Sequence, residues 1–147
     1  MIILLGINDI GFGGLVPSQA VSASQITAAM ATAITKVEAK GLEAYAATLL
    51  PFKGAGYHSA DGEAKRQAVN AFIRANRDVD GVIDFDKTMQ NPADPLTINP
   101  AYDRGDYLHP NDAGYGAMAA AIDLSTLERR VSMARQALAI AGVCNDA

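Results

Sequence analysis

"MIILLGIND", Met1 to Asp9, decides the fold: a short apolar run stops at a glycine, and an asparagine–aspartate pair follows at once. An isoleucine-rich run of this length suits a strand buried on both faces, as in a parallel sheet covered by helices. The stretch it opens, "GINDIGFGGLVPSQAVS", reads as a glycine-rich loop. Asn8 then stands just past the carboxyl end of a strand, where ligands bind in open α/β sheets. Its side-chain amide can donate to a developing oxyanion, worth roughly 3–4 kcal/mol where one such donor has been removed. Equally, Asn8 and Asp9 can do no more than close a turn. Nothing in this stretch alone chooses between them.

The rest of the chain alternates strands and helices. Ile26, Met30, Ile34 and Val37 recur at helical spacing, with Ser22 or Ser24 placed to cap the start and Gly41 where a C′ glycine belongs. "LEAYAATLLPF" reads as a second strand halted by Pro51. A second helix is expected from Glu63 to Ala75, with Ala64, Ala68, Phe72 and Ala75 on one side. "GVIDF" gives a third strand, Pro92, Pro95 and Pro100 punctuate a long loop, and another helix starts near Asn111. This order indicates an α/β fold built on a parallel sheet. Beyond Leu124, the residues Leu127, Val131, Ala134, Leu138 and Ala141 fall on one stripe of a further helix, packed on its own domain or against a second chain.

Composition narrows the classes. The 147 residues suit one domain, half are apolar and 19% are charged. A net charge of −4, with Arg129–Arg130 the only basic cluster, argues against a nucleic-acid partner. No apolar run approaches the roughly 20 residues that span a bilayer, and no signal peptide is visible at Met1. Cys144 is the single cysteine, so neither an internal disulfide nor a cysteine-based metal site is expected, and the compartment stays open.

One of the two histidines lies in "DYLHPNDAGY", Asp106 to Tyr115. On a tight turn into a helix, the Asp106 carboxylate can fold back onto the His109 imidazole. That would fix its tautomer and leave the other ring nitrogen free as an acceptor. Pro110 is placed as a first helical residue. A surface histidine beside a helix cap fits the same residues. A metal site through Asp103, Asp106, His109 and Asp112 has little support, because no His-x-x-x-His or cysteine pair accompanies it.

Taken together, "GIND" after a strand and Asp-x-x-His-Pro opening the last helix resemble two motif blocks of the SGNH hydrolases, the GDSL lipases or acylhydrolases. "YAATLLPFKGAGYHSADGEAKRQAVNAFIR", "VIDFDKTMQNPADP" and "YDRGDYLHPNDAGYGAMAAAI" are similar to bacterial members in order and spacing, over about residues 1–127. The resemblance implies a three-layer, flavodoxin-like α/β fold: a parallel sheet with helices on both faces. It also implies serine-type hydrolysis of short acyl esters without a metal or organic cofactor. In that chemistry His109 would be the base, Asp106 would orient it, and Asn8 would serve the oxyanion hole beside Gly6.

The family's Gly-Asp-Ser block and its oxyanion glycine, with the N-terminal strands that carry them, have no counterpart here. None of the six serines, Ser18, Ser22, Ser24, Ser59, Ser125 and Ser132, follows Gly-Asp. Ser59, beside His58, is a substitute nucleophile or a helix cap. Without a placed serine, turnover is expected to be feeble by family standards, or the chain to be an inert core for assembly or binding. The expected organisation is a truncated hydrolase domain over 1–127 and an extra C-terminal helical tail over 128–147. Since the family sheet runs 2-1-3-4-5, Met1–Leu5 becomes an uncovered edge, and a homo-oligomer through that strand or the C-terminal helix is expected. Family members are often secreted.

Overall fold

A computed structural model describes residues 1–127; the helical stripe that continues through Val131 lies outside the described residues. Strand β1 (Ile2–Ile3) pairs in parallel with β2 (Tyr45–Ala47), which pairs in parallel with β3 (Gly81–Ile83). The order β1-β2-β3 leaves β1 at an edge. Between the first two strands lie α1 (Ile7–Leu15), a 3-10 turn (Pro17–Gln19) and α2 (Ala23–Glu38); α3 (Ala60–Ala75) links β2 to β3. After β3 come α4 (Phe85–Met89), a β4–β5 hairpin (Gln90–Asn91 and Asp94–Ile98) and α5 (Asp112–Ala120).

Side-chain alternation along the strands builds two cores. Ile3 and Ala46 meet Ile26, Met30 and Ile34 of α2 and Val69 and Ile73 of α3 on one face. Tyr45, Ala47 and Ile83 face Met118 of α5 and Ile122 on the other. The expected architecture is therefore present: a mixed α/β fold whose parallel sheet is flanked by helices on both faces. Helix α2 begins where its cap residues place it. Ser22 accepts from the Gln25 N–H, and Gln25 returns the bond to the Ser22 N–H, a capping box. Gly41 turns left-handed at φ 70° just beyond its end.

Four local readings are corrected. The stretch expected as a glycine loop is helical over Ile7–Leu15. Its glycines disfavour a helix by about 1 kcal/mol each relative to alanine, yet close packing prevails. A Cβ on Gly11 would lie 2.4 Å from the Tyr57 ring, and one on Gly13 would lie 3.0 Å from the Ala20 backbone. The buried face of α3 is not its alanine side but Gly62, Arg66, Val69, Asn70 and Ile73. The proline-marked segment, expected as loop, contains α4 and the hairpin; Pro95 is tolerated because a two-stranded ribbon consists only of edges. Pro110 precedes α5 rather than opening it, since Asn111 is the cap and accepts from the Gly114 N–H at 2.9 Å.

Arg66 and Asn70 are buried because they hold the chain as it leaves β2. Asn70 accepts from the Leu49 N–H at 2.7 Å and donates to the Leu49 carbonyl at 2.9 Å. Arg66 donates to the same carbonyl and to Asp86 and Glu63, while Asp86 also takes Arg74 at 2.7 Å. Thr48 donates to Asp84 and accepts from the Asp86 N–H. Thr48, Arg66, Asn70 and Asp86, all buried, therefore each have partners, as burial requires. The loop after β2 starts from a fixed point.

Candidate active site

Because the three strands are parallel, their carboxyl ends share one edge of the sheet, and both singled-out stretches gather there. Asn8 sits in the first turn of α1, exposed, five residues past Ile3, the last residue of β1. Gly6 caps that helix at φ 121°, a conformation L side chains rarely adopt, and its carbonyl accepts from the Ile10 N–H at 3.1 Å. The turn from β1 into α1 is thereby sharp enough to hold Asn8 at the rim.

The second half is the turn before α5. Asp106 Oδ1 accepts from the backbone N–H groups of Leu108 at 3.0 Å and His109 at 2.8 Å. Its Oδ2 lies 2.8 Å from His109 Nδ1. With Nδ1–H donating to the carboxylate, Nε2 keeps the ring's lone pair. The backbone and ring N–H groups of His109 hold the Asp106 carboxyl well down, at about 2, although both side chains are largely solvated. Asp103 steadies the same turn by accepting from Gly105 and Tyr107, and Arg104 N–H donates to the His109 carbonyl. Tyr107 is left-handed at φ 59°, the single non-glycine residue so placed among the described residues. Its ring covers Gly54, where a Cβ would fall 2.8 Å from Tyr107 Cγ and φ is 103°.

Tyr57 joins the halves, and nothing in the sequence marked it. Its hydroxyl donates to Asn8 Oδ1 at 3.4 Å. Burial raises its phenol above the ordinary value, and the nearby Asp106 charge adds to the rise. A cleft of about 200 Å³ runs alongside, lined by Ile7 next to Asn8 and by Leu108 and Pro110 on either side of His109. Leu4, Leu50 and Met118 complete its apolar wall. A larger groove of about 430 Å³ follows α2 from the β1 edge and includes Asn8, but no residue of the histidine turn lines it. Ile7 beside Asn8 and the two residues flanking His109 thus share the smaller cleft, while Gly6 and Asn8 themselves line the larger groove.

Ser59 is not brought to His109. Its hydroxyl caps α3 by accepting from the Gly62 N–H at 3.0 Å. The neighbouring His58 lies edge-on to Phe52, centroids 5.0 Å apart, and its buried Nε2 has no hydrogen-bond partner. Among the described residues no serine is hydrogen-bonded to His109, and no group of three or more His, Cys, Asp or Glu is placed to hold a metal ion.

Comparison with known proteins agrees with this architecture. A GDSL-like lipase from Bacteroides thetaiotaomicron VPI-5482 superposes with a TM-score of 0.73 at 21% identity, over 87% of this chain and 62% of that one. A candidate acylhydrolase from Bacteroides fragilis NCTC 9343 gives 0.71 at 20% identity, over 87% and 61%. The chain therefore spans about three fifths of the length of these two structures, and at such identity they establish the fold alone. No curated protein matches it. The sequence profile of the GDSL-like lipase/acylhydrolase family matches residues 1–117, from the β1 edge through the histidine turn into α5, and on that match the chain belongs to this family.

Proposed function

We propose that this chain carries the asparagine–aspartate–histidine part of a serine-type ester hydrolase site for short acyl esters. The observation that carries the reading is the shared cleft, walled by the neighbours of Asn8 and of His109 together. In this reading His109 Nε2 takes the proton of a serine hydroxyl as it attacks the ester carbonyl. The Asn8 amide donates to the oxyanion that forms, beside Gly6, and Asp106 stabilises the imidazolium. Collapse expels the alcohol with the imidazolium proton, and water repeats the sequence on the acyl-enzyme.

The test is p-nitrophenyl acetate and butyrate hydrolysis by the 147-residue chain, beside His109→Ala, Asn8→Ala and Ser59→Ala. Without a serine aligned on His109, turnover is expected to be slow, roughly 10³–10⁴ above water at most. That residual comes from the oxyanion hole and binding, so Asn8→Ala should remove most of it, while His109→Ala and Ser59→Ala should change it little. Activity undiminished in Asn8→Ala would overturn the assignment. No release above buffer by the parent chain would favour the other reading, an inert core used in assembly. The β1 edge supports that second reading and also self-association: Ile2 and Leu5 are 42% and 65% exposed. Light scattering at micromolar concentration should find a dimer or larger species, and a monodisperse monomer would refute it.

A further inference from the structure

We propose that Tyr57 is a positioning residue for Asn8, its hydroxyl holding Oδ1 so that the amide Nδ2 is the end left free to donate. The inference rests on the oxyanion role proposed for Asn8. An exposed asparagine can present either end of its amide, and the two ends have opposite hydrogen-bonding character. Only Nδ2 outward offers a donor to an oxyanion. Tyr57 selects that orientation by donating to Oδ1 at 3.4 Å.

Three features fix Tyr57 for the task. Its ring lies against the backbone of α1, where Gly11 has no side chain to strike it: a Cβ there would approach the ring to 2.4 Å. Phe52 packs beside it at a tilt, with ring centroids 6.1 Å apart. The hydroxyl must stay protonated to donate, and both burial and the Asp106 charge keep it so. Asp106 therefore acts on both halves, orienting His109 directly and holding Tyr57 as a donor. The phenol itself meets no reacting atom.

Tyr57→Phe keeps the ring and removes the donor. In p-nitrophenyl butyrate hydrolysis it should lower kcat about tenfold with KM unchanged, less than the 10²–10³ lost when an oxyanion donor is deleted. In the Asn8→Ala background it should cost nothing more, because both changes remove one interaction. Equal losses in both backgrounds, or a rise in KM alone, would overturn the proposal. A second measurement needs no turnover. In the parent chain, the Asn8 side-chain NMR signals should move as pH passes through the Tyr57 midpoint, followed by ¹³C-labelled tyrosine, and Asp106→Asn should lower that midpoint. Asn8 signals indifferent to Tyr57 ionisation would overturn the proposal. If the parent chain proves inactive, the hydrolase reading falls, while this coupling is still decided by the NMR result.

Discussion

Replacing Arg66 by methionine tests what holds the rim in place. Arg66 is fully buried, and it donates to Leu49 at 2.9 Å, to Asp86 at 2.5 Å and to Glu63 at 2.7 Å. Breaking a buried ion pair by removing one partner costs about 3–5 kcal/mol, chiefly because the other charge is left buried and unpaired. Here Asp86 keeps Arg74 and the Leu49 carbonyl keeps Asn70, so the loss should fall at the low end, about 3 kcal/mol. For a domain of this size that is a fall in Tm of about 6–12 °C, measured by thermal and urea unfolding under circular dichroism. Arg66→Met with Asp86→Leu should lose less than Arg66→Met alone, since no orphaned carboxylate remains. A single variant that loses under about 1 kcal/mol, or a double variant worse than the single, would refute the reasoning.

Other outcomes follow from the same contacts. The folded carboxyls of Asp84 and Asp106 lie below their unfolded value, so the stability they add is present above about pH 4 and is lost as pH falls toward 2; acid unfolding should show its main loss in that window, and a flat profile there would contradict the pairing. By NMR, Asp106 should titrate at about 2, and His109→Ala should raise it only part way towards 3.8, because the backbone N–H of residue 109, the largest cause, survives the change. Gly11→Ala gains about 1 kcal/mol of helix propensity but drives a Cβ into the Tyr57 ring, which overpacking makes about 1–3 kcal/mol worse; a net gain in stability with activity intact would show that the ring is not seated as described. Gly54→Ala meets both a forbidden φ of 103° and the Tyr107 ring at 2.8 Å. It should cost about 1–3 kcal/mol and raise the Asp106 midpoint as the histidine turn shifts, and an unmoved midpoint would separate Gly54 from that turn.

The sheet was legible because its signals are local. Period and caps place α2 from Ser22 onward, and short apolar runs bounded by glycine or proline mark all three strands of the parallel sheet. The Asp106–His109 contact was legible for the same reason: three residues apart, it needs only one turn. What failed to show was tertiary in origin. Helix α1 exists despite its glycines because Tyr57 and Ala20 need the space they leave. The inner face of α3 carries Arg66 and Asn70, which any search for an apolar stripe passes over, and their partners Leu49 and Asp86 are set by the fold. Tyr57 and Asn8 lie 49 residues apart, so nothing local pairs them. The available hint was Gly11 itself, since a glycine inside a helix commonly marks a close approach by something large.

The two halves of the rim are held with unequal stiffness, and this shapes what the proposed chemistry can achieve. The His109 turn is fixed by four backbone N–H bonds to Asp103 and Asp106, and the ring is then pinned through Nδ1. Asn8, by contrast, projects exposed from a helix start with no side-chain cap, and its hydrogen bond to Tyr57 is long at 3.4 Å. Oxyanion stabilisation depends on donors fixed before charge develops, because a donor that must reorient returns part of its benefit as reorganisation. On the proposed reading the asparagine side therefore limits the site, and the Tyr57 loop governs that side. That loop begins at Leu49, whose backbone is gripped by Arg66 and Asn70. A buried ion pair far from any reacting atom thus acts on the site through the chain it anchors, so Arg66→Met should loosen the Asn8 amide before the His109 turn moves.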